Sequence, residues 1–415
     1  MKRIREYNEI LVLRTIQAEN PISRVELARR LNLSRAALTG IVQRLVDVGL
    51  LMEVGRGSTT GKGGRREVLL SFNPAFGAIL AVEIDQDYTQ CGLFDLNINL
   101  QDQKLVVNTK DLDPSAIIKM IAETCHSLIK KNNIELQSII GMGVGMPGVI
   151  DYQKGQVIEG GIIQRWHHYP LCAELASYFS FPVFIENNVK AVTLGEFFFG
   201  SGRHAENLVC FWFGNGIGVG MIRQHSLYRG YTASAGELGF WELIPGIQNG
   251  LPLVHDDSNK IWGDLLSLKN FFQSIRKGID QGWNTMLKHG FNLNDVLNAV
   301  EKGDPLILHL FKVYGKLMGQ LSSLVLYIVN PSVIVFAGPF FSNSTVLFDE
   351  IRKYLQKSYL HSSIEKTELR CTSLKNEAVL VGAASLVLND FFLLPTDESS
   401  SRSRSMFVGM KQSAD

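Results

Sequence analysis

The alternation of apolar and polar positions divides the chain into a short helical region and a longer region of alternating strands and helices. Apolar residues recur at helical spacing over residues 4–18, and two further helical patterns follow before residue 49. Two short apolar runs, at 50–54 and 68–72, predict a pair of strands. The pattern therefore predicts a three-helix domain ending in a β-hairpin, over residues 1–72.

Polar residues mark the ends of the second and third helices of this domain. Ser23 and Glu26 form a capping-box pattern, in which Ser23 caps the second helix and Glu26 reciprocates. A tight turn at 32–33 is followed by Ser34, which can cap a third helix that ends at Gly49. Two capped helices joined by a short turn and followed by a hairpin predict a winged helix-turn-helix.

The third predicted helix has one apolar stripe and one polar face. Small residues on the polar face allow close approach to a partner, and Arg35, Thr39 and Gln43 can bond to base edges. The hairpin is glycine-rich and basic over 55–66, which suits it to follow phosphates or reach the minor groove. A small helical packing domain with a solvated basic loop is the alternative interpretation. The predicted DNA contacts are Ser34, Arg35, Ala37, Thr39, Gln43, Arg44, Lys62, Arg65 and Arg66.

The distribution of charge along the chain favours the DNA-binding interpretation. Residues 1–71 hold 13 Lys and Arg against 7 Asp and Glu, whereas the rest of the chain holds 28 against 33. The formal net charge of the whole chain is +1 and by itself indicates no partner. A small basic domain joined to a mildly acidic one indicates that the N-terminal part meets nucleic acid.

Strands and helices alternate over residues 73–394, which predicts an α/β domain. Beyond residue 394, Ser and charged residues dominate, and residues 395–415 are predicted to be a disordered tail. Within the α/β domain, strands are predicted at 78–84, 90–96, 139–144, 183–185, 208–213 and 333–336, and helices at 115–131, 189–198 and 378–389.

The junction between the strand at 183–185 and the next helix carries Glu186, Asn187 and Asn188. In α/β proteins, ligands bind at the carboxyl ends of strands. A carboxylate in this place can take a proton from a bound hydroxyl, whereas an amide such as Asn188 can only hold that hydroxyl. Alternatively, Asn187 and Asn188 serve only to cap the following helix.

Several glycine-containing motifs follow the predicted winged helix-turn-helix in a fixed order. They are Gly-x-Pro-Gly-x-x-Asp at 145–151, Glu-Asn-x-x-x-Ala-x-x-x-Gly-Glu at 186–196, Gly-x-Gly-x-Gly-x-Gly at 214–220, Ala-Gly-Glu-Leu-Gly at 235–239 and Asn-Pro-x-x-x-x-x-x-Gly at 330–338. Together with the winged helix-turn-helix they resemble the ROK family (repressors, open reading frames and sugar kinases), in its repressor branch. The resemblance covers residues 5–389 and implies two actin-like lobes with a sugar-sized cleft between them.

The chain departs from the kinases of that family at the positions that carry catalysis. The family's phosphate-binding Asp-x-Gly-Gly-Thr is matched by Glu-Ile-Asp-Gln-Asp at 83–87, which adds carboxylates where a phosphate would sit. The family's catalytic Asp falls on Asn188, and its zinc-binding His falls on Phe240, with no cysteine at 241–257. The resemblance therefore implies a chain that is not an enzyme, has no catalytic residue, and uses no cofactor or metal.

The positions that match the family's sugar contacts survive in part. The predicted sugar-binding residues are Gly148, Asn187, Asn188 and Glu237. Glu237 can instead hold its glycine turn through a buried ion pair. The family's second acidic contact cannot be placed, and Asp264 is a candidate for it. Because Phe240 replaces the family His, the identity of the sugar does not follow from the resemblance.

These features together predict a sugar-responsive transcriptional repressor of carbohydrate-metabolism genes. Its predicted partners are operator DNA, a small sugar effector and further copies of the chain, in a homodimer or homotetramer. The sequence has no run of about 18 apolar residues for a membrane span, and its five scattered cysteines are typical of reduced thiols in a cytoplasmic protein. The alternatives are an active ATP-dependent sugar kinase, and a scaffold that binds no sugar and docks a protein partner.

Overall fold

The structure, a computed structural model, describes residues 2–56, 67–108, 113–161, 165–243, 253, 260–341, 345–357 and 361–391. The chain divides into two compact units. The first comprises Met1–Ala191 together with Val379–Asp415, and the second comprises Val192–Ala378. The predicted tail at 395–415 lies outside the described residues.

The N-terminal part of the first unit is a winged helix-turn-helix, as predicted. Its elements are α1 (Lys2–Ala18), β1 (Ile22–Ser23), α2 (Arg24–Leu31), α3 (Arg35–Asp47), β2 (Leu51–Arg56) and β3 (Val68–Phe72). The three strands form an antiparallel sheet in the order β1-β3-β2. The apolar stripe of α3 is buried against this framework and comprises Leu38, Ile41, Val42 and Leu45.

The predicted N-caps of α2 and α3 are confirmed. Ser23 Oγ and Ser34 Oγ each accept a hydrogen bond from the backbone N–H three residues further on, at 3.1 and 3.2 Å. The second half of the predicted capping box differs, because the Glu26 carboxylate accepts hydrogen bonds from Arg29 and Arg30. Both arginines lie within one turn of Glu26 on α2, so a charged pairing takes up the carboxylate.

The rest of the first unit is built on a five-stranded sheet. Its elements are β4 (Ala78–Ile84), β5 (Tyr88–Asp95), β6 (Leu100–Val107), α4 (Pro114–Lys131), β7 (Ile139–Met146), β8 (Val149–Asp151), β9 (Gln156–Glu159), β10 (His167–Tyr169), α5 (Leu171–Ala176), β11 (Val183–Asn187) and the beginning of α6 (Asn188–Phe198). The strand order is β11-β7-β4-β5-β6, with β11, β7 and β4 parallel and the other pairs antiparallel. A small antiparallel sheet has the order β10-β9-β8.

The second unit has its own five-stranded sheet and its own apolar core. Its remaining elements are β12 (Asn207–Phe213), β13 (Ile217–Arg223), β14 (Ser226–Leu227), α7 (Trp262–Leu265), α8 (Leu268–Asp280), α9 (Leu293–Glu301), α10 (Pro305–Val329), β15 (Val333–Ala337), α11 (Val346–Leu355), α12 (His361–Lys366) and β16 (Glu368–Cys371). The strand order is β14-β13-β12-β15-β16. Among the described helices, none is long and apolar enough to cross a membrane.

The last helix, α13 (Ala378–Phe391), brings the chain back to the first unit. It packs closely on β7, where the Ala383 carbonyl lies in the place that a side chain on Gly143 would occupy. Val379 and Val387 of the same helix are buried and lie over the neighbouring glycines of β7. The first unit is therefore completed by a helix that follows the whole second unit in sequence.

Candidate functional site

The exposed face of α3 carries three polar side chains in a row. Arg35, Thr39 and Gln43 are exposed, and each lies one helical turn from the next. At 1.5 Å per residue the row spans about 12 Å, which is about the width of the DNA major groove. Ser34 and Ala37 are exposed at the beginning of the same helix. Five of the six DNA contacts predicted on α3 therefore lie on its solvent face.

Local hydrogen bonds order two side chains of this row. Thr39 Oγ1 donates to the Arg35 carbonyl at 2.7 Å, and Gln43 Nε2 donates to Asp47 Oδ1 at 2.8 Å. Each bond uses a donor and leaves the side-chain oxygen as an acceptor. The row therefore offers a guanidinium, a hydroxyl and an amide, and the hydroxyl and the amide are ordered by hydrogen bonds within α3.

Arg44, the sixth predicted contact on α3, is directed differently. Its side chain is half-buried, and its guanidinium pairs with Glu9 of α1 at 3.3 Å. The same guanidinium donates to the Gly40 carbonyl at 2.9 Å. These bonds assign Arg44 a part in holding α1 against α3, and its direct contact with DNA stays a prediction.

The basic hairpin loop was predicted to supply Lys62, Arg65 and Arg66. These three residues lie outside the described residues, so their predicted role is carried by the sequence alone. The strands on either side are described and pair antiparallel, with Arg56 opposite Val68 at the base of the loop. The paired strands β2 and β3 are the described part of this hairpin.

The second group of candidate residues lies where β7 and β11 end side by side. The two strands are parallel, and Asn187 pairs with Met146 at their carboxyl ends. Asn187 is buried, and its Nδ2 donates to the Gly148 carbonyl at 2.9 Å. Its Oδ1 accepts from the backbone N–H groups of Val189 and Lys190 at 3.0 and 3.2 Å. Asn187 therefore caps α6, which is the alternative that the sequence left open for it.

Asn188 and Gly148 lie at the same strand ends. Asn188 is half-buried, and its Oδ1 accepts from the N–H of Val189 at 2.9 Å. Gly148 has a φ of +112°, and the Glu159 carbonyl lies in the place of a side chain there. Gly148 is thus required by the chain's own close approach to β9. The contacts of these residues with a sugar stay predictions.

Glu83 is the first residue of the segment that matches the family's phosphate-binding motif, and it is a buried acid. Glu83 is 5% exposed and accepts a hydrogen bond from the Tyr88 hydroxyl at 2.8 Å. Burial raises the pKa of Glu83 to about 7, the hydrogen bond from Tyr88 opposes that rise, and the charge of Asp85 adds to it. Near neutral pH, Glu83 is therefore only partly ionised, and less negative charge is present there than the sequence suggested.

The segment after Glu83 forms a closed hairpin turn. The N–H of Asp85 donates to the Tyr88 carbonyl at 2.9 Å, and Asn108 donates to the carbonyl of Asp85 at 2.8 Å and to that of Asp87 at 2.9 Å. The half-buried Asp85 and the exposed Asp87 stand at this turn. Carboxylates therefore occupy the turn that matches the phosphate-binding glycines of the family.

The remaining predicted residues lie in the second unit. Glu237 is half-buried at the start of a short 3₁₀ turn, Leu238–Phe240. The glycine-rich stretch at 214–220 joins β12 to β13 as a hairpin, closed by a bond from the Gly214 N–H to the Gly216 carbonyl at 2.9 Å. Asp264 is exposed on α7, and Phe240 is also exposed. The glycine-rich stretch is therefore a tight connection between two antiparallel strands.

Within the residues that the structure describes, no three or more His, Cys, Asp or Glu side chains are grouped so as to bind a metal ion. The cysteines are free thiols, four of them buried and Cys371 half-buried. Burial raises the pKa of the Cys210 thiol well above its ordinary value, which keeps that thiol protonated and unreactive.

Two family models match the chain. The ROK family model matches residues 79–390, and the MarR family model matches residues 6–53. The first match covers three quarters of the chain and contains both five-stranded sheets. The second match covers the region of α1, α2 and α3 and reaches β2.

Similar curated proteins are bacterial regulators. The chain is 24% identical over 403 residues to the xylose repressor of Caldicellulosiruptor bescii, covering 94% of this chain and 98% of that protein. It is 25% identical over 391 residues to the xylose repressor of Bacillus subtilis, covering 94% and 96%. It is 24% identical over 373 residues to the DNA-binding transcriptional dual regulator NagC of Escherichia coli K12, covering 86% of each.

Solved structures share the fold. A ROK family transcriptional regulator, a homologue of the E. coli MLC protein, superimposes with a TM-score of 0.77 at 19% identity, covering 99% of this chain and 100% of that chain. A ROK family glucokinase from Streptomyces griseus, solved with glucose and AMPPNP, superimposes with a TM-score of 0.64 at 21% identity, covering 75% and 99%. The fold is therefore common to regulators and kinases, so the two functions are distinguished by their site residues and not by the fold.

Proposed function

Because this chain belongs to the ROK family, we propose that it is a sugar-responsive DNA-binding transcriptional repressor of carbohydrate-metabolism genes. The observation that carries the proposal is the exposed row of Arg35, Thr39 and Gln43 on a capped helix. Proteins that resemble the chain over nearly their full length are named xylose repressors. In this proposal the chain acts in the cytoplasm as a homodimer or homotetramer that reads two half-sites of an operator.

The DNA-reading role is divided between α3 and the hairpin. Arg35, Thr39 and Gln43 contact base edges in the major groove, and Ala37 lets the helix come close. Ser34 caps the first turn of α3, and Arg44 joins α3 to α1 through its ion pair with Glu9. Lys62, Arg65 and Arg66 contact phosphates or the minor groove, which adds affinity without sequence preference.

The sugar-sensing role rests on the strand ends of the first unit. Asn188 holds a sugar hydroxyl through its amide, and Asn187 and Gly148 hold the strand ends in place through their mutual hydrogen bond. Glu237 is a separate predicted contact in the second unit. A sugar changes DNA affinity only if it binds the DNA-bound and DNA-free states differently.

Two features of the chain disfavour phosphoryl transfer, although kinases share the fold. Asn188 stands where a kinase of the family has its catalytic Asp, and an amide cannot take the proton of a sugar hydroxyl. The turn that should approach a phosphate carries the carboxylates of Asp85 and Asp87. These features favour binding without turnover, so we propose that the chain is not an enzyme.

A thermal-shift panel tests the proposal directly. Neutral sugars, amino sugars, sugar phosphates and ATP are added in separate wells, because a ligand that binds only the native state raises the melting temperature. A shift with one unphosphorylated sugar and none with ATP is the expected result. That sugar is then added to a DNA-binding assay with operator DNA, where it must change the affinity of the protein for that DNA.

Two other outcomes contradict parts of the proposal. A shift with ATP, followed by ATP consumption in the presence of a sugar, would establish a kinase. No shift with any ligand, in a protein that still selects a DNA sequence, would favour a scaffold that docks a protein partner. The first outcome removes the claim that the chain is not an enzyme, and the second removes only the sugar response.

A further inference from the structure

The second unit has an elongated groove between α10 and α11, with a volume of about 830 Å³. Its size is within the range of about 300–1,000 Å³ that is usual for ligand pockets. It lies apart in sequence from every residue assigned above to DNA or sugar. The residues that line the groove are Lys312, Lys316, Ser323, Tyr327, Glu350, Lys353, Tyr354 and Lys357.

Two glycines set the register of the helices that form the groove. A side chain on Gly315 would lie 2.5 Å from Glu350 Cβ, and one on Gly319 would lie 2.8 Å from Tyr354 Cβ. The helices therefore run in the same direction with position 315 beside 350 and 319 beside 354. Because the backbones approach closely at these points, the longer side chains on either side form the walls of the groove.

The walls carry four lysines and one glutamate. Lys353 Nζ pairs with Glu350 at 2.6 Å, and Lys312, Lys316 and Lys357 are exposed. In this register Lys357 lies beside position 322 of α10, which is about ten residues beyond Lys312. The two lysines are therefore separated by about 15 Å along the helices, at 1.5 Å per residue. The positive charges are therefore spread along the groove and do not converge on one point.

Aromatic side chains stand in the same groove. Tyr354 is half-buried, and its hydroxyl has a raised pKa because of burial and then because of the neighbouring Tyr327. Tyr327 is 43% exposed near the end of α10. The two rings offer apolar faces with polar ends, which is the composition of surfaces that bind peptides.

We propose that this groove binds an extended acidic segment of a protein partner. A compact anion reaches one or two of the lysines, whereas a chain of about five extended residues, at about 3.3 Å each, passes all four. Lysine is a point charge on a flexible stem and so suits carboxylates that follow one another along a chain. A DNA duplex is far wider than a groove formed by the side chains of two adjacent helices.

The test uses the full-length protein and a fluorescein-labelled hexaglutamate peptide, with hexaglutamine as the uncharged reference. Binding is measured by fluorescence anisotropy for wild type and for the double variant Lys316→Gln with Lys357→Gln. The control double variant, Lys269→Gln with Lys302→Gln, removes the same charge from exposed positions of the same unit. Any binding to the basic N-terminal domain is equal in the two double variants.

The groove variant is expected to bind hexaglutamate with a Kd raised on the order of tenfold, because two screened charge contacts are lost. The control variant is expected to keep the wild-type Kd. Carbodiimide coupling of the bound peptide, read by mass spectrometry, is expected to yield adducts at the groove lysines. All these side chains are exposed, so melting temperatures should be unchanged.

Three results overturn the proposal. Equal weakening in the two double variants means that the peptide responds to overall charge only. Adducts spread over exposed lysines outside the groove mean that it binds elsewhere. Loss of affinity for a labelled random DNA duplex in the groove variant, with hexaglutamate binding unchanged, means that the lysines serve DNA.

Discussion

The side-chain amide of Asn20 donates a hydrogen bond to Asn97 Oδ1 at 2.7 Å, joining the winged helix-turn-helix to the five-stranded sheet of the same unit. Asn97 in turn donates to the carbonyl of Phe72, the last residue of β3, at 3.3 Å. The buried carboxylate of Asp95 fixes the turn by accepting from the N–H groups of Asn97 and Asn99 at 2.8 and 2.9 Å. Asn97 is therefore placed to pass a change in the sheet to the DNA-reading domain.

We expect Asn97→Ala to reduce the response of DNA binding to sugar. The variant loses side-chain bonds worth about 1 kcal/mol each and keeps the backbone bonds of its turn. Operator affinity should change less on addition of the sugar, while the thermal shift caused by that sugar is kept. Asn99→Ala is the matched control, since the Asn99 side chain bonds to Asp95 within the turn. A full response in Asn97→Ala would show that the contact is dispensable.

Arg35→Ala and Gln43→Ala are expected to remove sequence preference. Each loses a side chain proposed to contact a base edge, which should cost about 1–3 kcal/mol on the operator and much less on random DNA. Affinities for both DNAs are measured by anisotropy at fixed salt. Lys119→Ala on α4 removes a charge far along the chain and should leave both affinities unchanged. Equal losses on operator and random DNA would contradict the assignment of α3 as the recognition helix.

Replacing Lys62, Arg65 and Arg66 together by Ala is expected to weaken binding uniformly. Phosphate contacts release counterions, so the slope of log K against log salt should decrease by up to about three. Titrations of operator and random DNA at several salt concentrations measure this slope. If the triple variant weakens operator binding alone, the hairpin reads sequence, and its proposed role is wrong.

Glu83 makes the stability of the protein depend on pH. Its pKa is about 7 in the folded protein and near 4.5 when exposed, so the folded state holds the proton more tightly. Stability is therefore lost as pH rises from about 4.5 to 7, by about 3 kcal/mol in total. Glu83→Gln keeps an acceptor for Tyr88 and should melt higher than wild type at pH 8, with the difference shrinking towards pH 5. A difference independent of pH would contradict the assigned pKa.

Asn188→Asp is expected to leave the chain without kinase activity. The change supplies the carboxylate of the family kinases, but the hairpin turn at Asp85 and Asp87 still lacks the glycines that approach a phosphate. ADP release is measured with the sugar identified by thermal shift, for the variant beside the wild type. Turnover in the variant alone would identify Asn188 as the single catalytic defect. Turnover in wild type would establish an enzyme.

The elements with strong local signals could be predicted from the sequence. Ser23 and Ser34 cap their helices as expected, because an N-cap is a bond between near neighbours. The apolar pattern predicts β4, β7 and β12 because strands that are buried on both faces of a sheet are nearly continuous apolar runs. The edge strand β6 was missed, since its residues are mostly exposed and only Leu100, Leu105 and its two valines are apolar.

Other features depend on residues that meet only in the folded chain. The bond from Tyr88 to Glu83 crosses a hairpin, and the burial that raises the pKa of Glu83 comes from the surrounding sheet. Asn187 bonds to Gly148, which lies 39 residues earlier, because β7 and β11 are neighbours. Sequence spacing therefore identified the candidate residues, whereas their hydrogen-bond partners required the structure.

The first unit can be completed only when α13 has left the ribosome, because α13 packs on β7. The whole of the second unit, Val192–Ala378, is synthesised in between. At roughly 5–20 residues per second this interval lasts roughly 10–40 s. During that time the face of β7 that Ala383 later covers is open to chaperones and to other nascent chains. A chain that stops short of α13 is therefore expected to be recognised and degraded as incomplete, although it contains every residue proposed to contact DNA.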